Sequence, residues 1–214
     1  MLHPYYTFYR TNAAFHLGDL VNIYQQCAAL SDTTLYSETI CPCCQNSAAD
    51  VFKFLTGLNP AVKFGKLGGK PIEMNPWWFK DWQGQKTDYI KALQLPSKGS
   101  HIAVQIDSRS KGQKIPIWAS RAVKLLNKAI NVGDRPLKCK NKNKVDLATK
   151  FEIIASARYY VGIDSGLTHL ALMTNTPIIL IHPPEWDVSR FYPDTPQIVK
   201  VSNYKDFVKV IENA

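Results

Sequence analysis

The sequence predicts an α/β protein built from two similar halves, residues 1–97 and 98–214. Three observations lead there. Short β-rich runs alternate with helical stretches, as in βαβ units. The alternation restarts after the turn-rich cluster Pro96-Ser97-Lys98-Gly99-Ser100, which marks a domain boundary. The run Pro177–Ile181 is almost purely apolar, the signature of a strand buried on both faces of a parallel sheet.

In the first half, Tyr5–Tyr9 reads as a strand. Leu20–Leu30 reads as a helix, because Leu20, Ile23, Tyr24 and Cys27 recur at helical spacing. Thr33–Tyr36 is a second strand, Ser47–Leu55 a helix ended by Gly57, and Ala61–Phe64 a third strand. Residues 65–86, rich in Gly, Pro and Trp, read as a surface loop with a short helix. Loops of that length are usually functional. Thr87–Leu95 reads as a helix.

In the second half, His101–Ile106 is a strand and Asp107–Pro116 a basic loop. Ile117–Ile130 reads as a helix, carrying Trp118, Ala122, Leu125, Leu126 and Ala129 on its apolar side. Pro136–Cys139 is a short strand, Val145–Ala157 a helix and Tyr159–Ile163 a strand that runs into Asp164-Ser165-Gly166. Leu167–Thr174 is a helix, Gln197–Val201 the last strand and Tyr204–Glu212 the last helix.

Composition narrows the class. With 214 residues, 45% hydrophobic and 20% charged, the chain can bury a core without disulfide staples, and it is neither disordered nor collagen-like. The five cysteines, Cys27, Cys41, Cys43, Cys44 and Cys139, are odd in number and point to reduced thiols. Cys41-Pro42-Cys43-Cys44 lacks a second ligand pair in the sequence, whereas structural zinc takes about four ligands; no metal is expected. No apolar run reaches the ~18 residues of a membrane span. Met1–Arg10 lacks the basic and apolar regions of a secretory signal. A cytoplasmic protein is expected.

The net charge of +9 is concentrated: residues 98–150 hold thirteen Lys/Arg against three Asp/Glu. Two basic runs stand out, Arg109–Lys114 and Lys138–Lys144. In the second, Lys138, Lys140, Lys142 and Lys144 alternate, so an extended strand would place them on one face. Such a field suits phosphates, nucleic acid or anionic lipid headgroups, or it serves solubility alone.

The stretch Tyr160-Val-Gly-Ile-Asp164-Ser165-Gly166-Leu-Thr-His169-Leu-Ala carries the most chemistry. A strand ends in Asp-Ser-Gly and a helix starts at once. Free backbone N–H groups and the positive end of the helix dipole suit a phosphate there, and Ser165 is a natural N-cap. The bland alternative is a simple turn followed by a core histidine.

The pattern strand–DSGxxHLA–helix–xxxPIILI resembles the C-terminal half of the heptosyltransferase-like glycosyltransferases (glycosyltransferase family 9). The resemblance implies a trimmed GT-B architecture: two small Rossmann-like halves with an interdomain cleft, the first on the acceptor side and the second binding a nucleotide sugar. It implies that Asp164, Ser165, Gly166 and His169 line the nucleotide-sugar pocket. The N-terminal strand, the loop to Gly18-Asp19 and the following helix match the start of family members, which makes Asp19 the catalytic base; capping the helix is its other reading. In the basic loop, Lys114 is the nearest match to the family's diphosphate-binding cation, with Arg109 and Lys111 as substitutes. Residues 131–147 replace a longer family segment, and Asp134 and Asp146 are the acidic residues there that could meet a ribose.

The implied activity is inverting, metal-independent transfer from a nucleoside-diphosphate sugar, with no further cofactor, to an acceptor hydroxyl. Two acceptors fit the charge: a lipopolysaccharide-type sugar, or a hydroxymethylated base in phage DNA, with the Trp77–Trp82 region offering stacking surfaces. The alternative is a non-catalytic sugar-nucleotide or nucleic-acid binding module on a GT-B scaffold.

Overall fold

The structure is a computed structural model that describes residues 6–9, 17–27, 33–35, 40–41, 46–58, 72–73, 91–107, 115–142, 144–190, 192 and 194–213. The chain divides into two compact units, residues 1–93 and 94–214. Among the described residues, no helix is long and apolar enough to cross a membrane.

In the first unit β1 (Tyr6–Tyr9) lies between β2 (Thr33–Leu35) and β5 (Ile72–Glu73), parallel to both. A small antiparallel pair, β3 (Ile40–Cys41) with β4 (Asn46–Ser47), precedes the second helix. Helices α1 (Leu17–Cys27) and α2 (Ala48–Leu58) pack on each other. Among the described residues, the buried apolar side chains of α1 are Leu17, Leu20, Val21 and Tyr24, and those of α2 are Val51 and Leu55. Their spacing is the helical one that drives an apolar stripe inward. Burial raises the Tyr24 phenol to about 12.

Two expectations change here. The stretch 65–86 is not all loop, because it contributes β5; two residues flanked by Gly, Pro and Trp carry too little period-2 signal to be read as a strand. Residues 91–95, the end of the expected helix Thr87–Leu95, are not helical. The expected strand Ala61–Phe64 lies outside the described residues.

The second unit is one six-stranded parallel sheet. Its strands are β6 (Ile102–Gln105), β7 (Ala129–Asn131), β8 (Lys140–Asn141), β9 (Tyr159–Ile163), β10 (Ile178–Ile181) and β11 (Ile198–Val201). They lie in the order β11-β10-β9-β6-β7-β8. Counted within the unit this is 6-5-4-1-2-3, the order of doubly wound dinucleotide-binding folds. The central strands β6, β9 and β10 are buried at every residue.

The two faces of the sheet differ. Ile102, Val104, Tyr159, Val161, Ile163, Ile179 and Ile181 pack with α3 (Ala119–Val123) and with Phe207 of α6 (Tyr204–Glu212). Trp118, just before α3, meets Phe207 at 5.9 Å between ring centroids. The alternate residues, which include Gln105, Tyr160 and Gly162, face the opposite way. That face is covered by α4 (Leu147–Ser156) and α5 (Gly166–Ala171), which pack on each other.

The C-terminal carbonyls of α4 are fully engaged, as a buried helix end requires. Lys98 Nζ donates to Ala155 O at 2.9 Å, Thr176 Oγ1 donates to Ile154 O at 2.9 Å, and Gly99 N donates to Ser156 O at 2.6 Å. His101 Nε2 lies 2.8 Å from Ile153 O. Burial holds the Lys98 amine below its ordinary value.

The expected helix Ile117–Ile130 is shorter. Residues 119–123 are helical, turns follow, and Ala129–Asn131 form β7. Lys128 sits at φ 56°, a left-handed conformation that ends helical periodicity. The third strand of the unit is Lys140–Asn141, not Pro136–Cys139. Lys138, Lys140, Lys142 and Lys144 are all exposed, but only Lys140 lies in a strand, so no shared strand face gathers the four.

Candidate active site

In a doubly wound sheet, ligands bind beyond the carboxyl ends of the strands where the strand order reverses. Here that point lies between β6 and β9. The chain leaves β6 through Ile106 and Asp107, and leaves β9 through Asp164-Ser165 into α5.

The turn after β9 is held by its own side chains. Ser165 is extended, at φ −165° and ψ 164°, and its Oγ accepts the Thr168 amide at 3.3 Å as the N-cap of α5. Thr168 Oγ1 donates back to Ile163 O at 2.5 Å. Ser165 Oγ also donates to Gln105 Oε1 on β6, and Tyr160 OH donates to the same oxygen at 2.9 Å. Gln105 Nε2 then donates to Asp107 O. One buried amide side chain therefore ties the ends of both switch-point strands together. Tyr160 is fully buried, and loss of water drives its phenol far above the ordinary range; it stays a neutral donor.

Gly162 is required by this packing. A Cβ there would stand 2.4 Å from Tyr160 Cε1 and 2.7 Å from Thr168 Oγ1.

Asp164 is fixed from the far side. Tyr192 OH accepts the Ser165 amide at 3.1 Å and donates to Asp164 Oδ1 at 2.8 Å. The Tyr192 ring stacks on His169, with centroids 4.7 Å apart and planes 12° apart. His169 Nε2 lies 3.9 Å from Asp164 Oδ1. His169 is buried and braced against Tyr192, so it backs the turn. The amides of Gly166 and Leu167 meet no acceptor among the described residues.

The second carboxylate of the switch point, Asp107, is locked instead. Its Oδ2 accepts the amides of Asp134 at 2.8 Å and Arg135 at 3.0 Å. Its Oδ1 is buried with no hydrogen-bond partner among the described residues. Burial raises its pKa, partly offset by those backbone amides. Gly133 makes room for it, since a Cβ there would lie 1.9 Å from Asp107 Oδ1. Of the two acids noted for a ribose, Asp134 pairs with Lys150 at 3.5 Å. Asp146 caps α4 by accepting the Thr149 amide at 2.7 Å, and these hydrogen bonds lower its pKa.

An open pocket adjoins Asp164 at the ends of β9 and β10. Ile163, Ile181, Pro116 and Val188 form apolar walls, and Asp164, His182 and Trp186 complete it. Thus Asp164, Ser165, Gly166 and His169 come together at the switch point. Asp19 lies in the first turn of α1, in the other unit. Arg109, Lys111 and Lys114 lie outside the described residues, as do Trp77, Trp78, Trp82, Cys43 and Cys44. Among the described residues, no group of three or more His, Cys, Asp or Glu is placed to share a metal ion.

Gln105, Tyr192, His182 and Trp186 were not singled out from the sequence. Gln105 left a readable signal, a lone amide inside the apolar run Ile102–Ile106. Tyr192 left none, because 27 residues separate it from the amide it accepts.

These features define a doubly wound α/β unit with the Asp164-Ser165-Gly166 turn at its switch point, preceded by a smaller unit that holds a three-stranded parallel sheet. No family model matches the sequence, and no curated protein matches it. Among solved structures, the chain is similar to the iron-containing dodecameric glycosyltransferase TibC from enterotoxigenic E. coli H10407, at TM-score 0.55 and 15% identity over 94% of this chain and 63% of that one. It is similar, at TM-score 0.53 and 14% identity, to TibC described as a heptosyltransferase in complex with ADP-D-beta-D-heptose, over 94% of this chain and 62% of that one. The chain therefore has an α/β GT-B-type fold, and it spans under two thirds of TibC's length.

Proposed function

We propose that this chain is a heptosyltransferase-like glycosyltransferase that moves a sugar from a nucleoside-diphosphate sugar to an acceptor hydroxyl. The observation that carries the reading is the Asp164-Ser165-Gly166 turn at the switch point of a GT-B-type fold. The turn sits where such sheets bind phosphates. Its amides at Gly166 and Leu167 would meet the diphosphate, with Arg109, Lys111 and Lys114 supplying cations from the loop after β6. Charge grows on the diphosphate as the glycosidic bond breaks, and fixed donors and cations stabilise it without a metal. His169 and Tyr192 hold Asp164 in place.

Asp19 is the proposed base. As the acceptor oxygen attacks the anomeric carbon, the carboxylate takes its proton and the nucleoside diphosphate leaves from the opposite face. A single displacement inverts the anomeric centre and needs no nucleophile from the protein. The test is Asp19→Asn, assayed for sugar release and transfer with ADP-heptose, GDP-mannose and UDP-glucose. Transfer should fall ~10²–10⁴-fold, the usual worth of a general base, with donor affinity by calorimetry unchanged. Retained turnover would reduce Asp19 to a helix-start residue. Donor binding without turnover in the wild type on every acceptor would favour the non-catalytic module.

The exposed Lys138, Lys140, Lys142 and Lys144 favour an anionic acceptor. Binding of the full chain to duplex DNA and to lipopolysaccharide at rising salt separates the two readings. If DNA is the acceptor, replacing the four lysines with Gln should flatten the salt slope by about 0.9 per lost phosphate contact. A slope present with lipopolysaccharide alone gives the sugar acceptor; no binding to either makes the charge a matter of solubility.

A further inference from the structure

We infer that Gln105 is a positioning residue for the donor site. Acting through Ser165, it fixes the shape of the Asp164-Ser165-Gly166 turn. It also takes up the Ser165 hydroxyl proton, so that Ser165 builds the turn and donates nothing to the ligand. The inference rests on the donor-binding reading above, and it gives a task to a buried side chain behind the turn.

Gln105 stands out against its strand. β6 is buried at every residue and otherwise reads Ile102-Ala103-Val104. An amide side chain in such a strand costs stability unless its groups are paired. The pairs it makes run to β9, to the turn after β9 and to the chain leaving β6. The strand neighbour of Gln105 is Gly162 on β9. Because Gly162 has no side chain, the Tyr160 ring and Thr168 Oγ1 occupy the space beside it, with the two hydroxyl oxygens 3.2 Å apart. Gln105 meets this cluster from the adjacent strand.

Proton accounting fixes the direction of each bond. Asp107 O is a carbonyl oxygen and only accepts, so the Gln105 group that faces it must be Nε2. Oε1 then faces Tyr160 OH, at 2.9 Å, and Ser165 Oγ. An amide oxygen has no proton to give, so both hydroxyls donate to it. A hydroxyl carries one proton. With that proton on Gln105, Ser165 Oγ is an acceptor towards every other neighbour, as the Thr168 amide at 3.3 Å requires. Thr168 Oγ1 gives its own proton to Ile163 O at 2.5 Å. None of the three hydroxyls keeps a proton for a ligand. Ser165 lies between the end of β9 and the start of α5. The bond that holds its side chain therefore also holds the corner at which the chain turns from strand into helix.

The experiment uses ADP, GDP and UDP as probes, with calorimetry and thermal unfolding on the full chain. Wild type is compared with Gln105→Met, Ser165→Ala, the double variant of these two, and Tyr160→Phe. Methionine is unbranched and fills the same space without the amide's hydrogen bonds. Gln105→Met and Ser165→Ala should each weaken the bound diphosphate about tenfold, ~1.4 kcal/mol. Because both break one link, the double variant should bind within about twofold of the weaker single variant. Tyr160→Phe cuts the other bond to Gln105 Oε1. It should lower the melting temperature by about 2–4 °C and leave affinity within about twofold, which separates positioning from general loss of packing. Gln105→Glu keeps an acceptor for both hydroxyls and, when ionised, loses only the bond to Asp107 O. It stands in should the methionine variant fail to fold, with a severalfold loss expected. Wild-type affinity in the Gln105 variants overturns the inference. So do losses that multiply in the double variant, or a loss in Tyr160→Phe equal to that in Gln105→Met. Hydrogen exchange without ligand reads the turn directly: the Thr168 amide should exchange severalfold faster in Gln105→Met than in Tyr160→Phe, and equal protection overturns the inference. A wild type that binds none of the three diphosphates removes the donor-binding reading, while exchange at Thr168 still decides whether Gln105 holds the turn.

Discussion

Two carboxylates end neighbouring strands at the switch point, and they have opposite fates. Asp107 follows β6 and lies 6% exposed, with Oδ2 accepting two backbone amides and Oδ1 shut in beside Gly133. Asp164 follows β9, keeps 18% of its side chain exposed, and takes a hydroxyl from Tyr192 while lining an open pocket. The residue type and the strand-end position are the same. What differs is the partner: backbone amides turn one carboxylate into a clamp, and a tyrosine hydroxyl holds the other facing a pocket. A buried acid at a strand end is therefore not by itself a sign of chemistry; its hydrogen-bond partners say which task it has.

The largest test of this difference is Asp107→Ala. It strips the acceptor from the amides of Asp134 and Arg135. Stranded buried donors cost ~1–3 kcal/mol, so chemical denaturation should show a loss in that range while nucleoside-diphosphate affinity barely moves. A stable variant with poor binding would exchange the roles of the two acids.

Next is Asp164→Asn, which retains an oxygen for Tyr192 and removes the charge. Stability should stay within ~0.5 kcal/mol, and sugar-nucleotide affinity should fall about tenfold, the ~1.4 kcal/mol scale of a charge-assisted hydrogen bond. Calorimetry and thermal melting on the same samples check both halves.

Tyr192→Phe sharpens the comparison further. The ring and its stack on His169 remain, but the link from the Ser165 amide to Asp164 Oδ1 is cut. The expected loss is ~1 kcal/mol of stability, with a severalfold loss of sugar-nucleotide affinity because Asp164 is no longer oriented. An unchanged affinity would mean that other contacts orient Asp164.

The smallest effect is a pH tilt. Burial raises the Asp107 pKa above its unfolded value of 3.8, so within that window the folded state binds more protons than the unfolded chain. Stability from this group is therefore greatest at low pH and declines as pH rises through the raised folded value. Asp107→Asn keeps an acceptor oxygen but cannot ionise. Relative to wild type, the variant should gain stability as pH rises from 4 towards 7. Parallel melting curves across that range would refute it.

Much of the second unit is legible in its sequence. Tyr159–Ile163 and Tyr204–Glu212 occur with the bounds that their patterns predict, because long apolar or strongly periodic runs outweigh local noise. The Asp-Ser-Gly turn and its cap are legible for the same local reason. The short elements are not. β5, β7 and β8 have three residues or fewer, and such runs pair through their neighbours in the sheet rather than through their own composition.

By itself, the sequence determined the α/β class, the strand–turn–helix at Asp164–His169 and the concentration of positive charge in residues 98–150. Each depends on residues near one another in the chain, whose spacing imposes its geometry directly. Only the tertiary structure decided that β6 lies beside β9, that Gln105 joins both strand ends, and that Tyr192 orients Asp164 while Asp107 clamps a loop. These facts depend on hydrogen bonds between residues 27 to 60 positions apart. Nothing local encodes such pairs; the order of strands in the sheet brings them within reach.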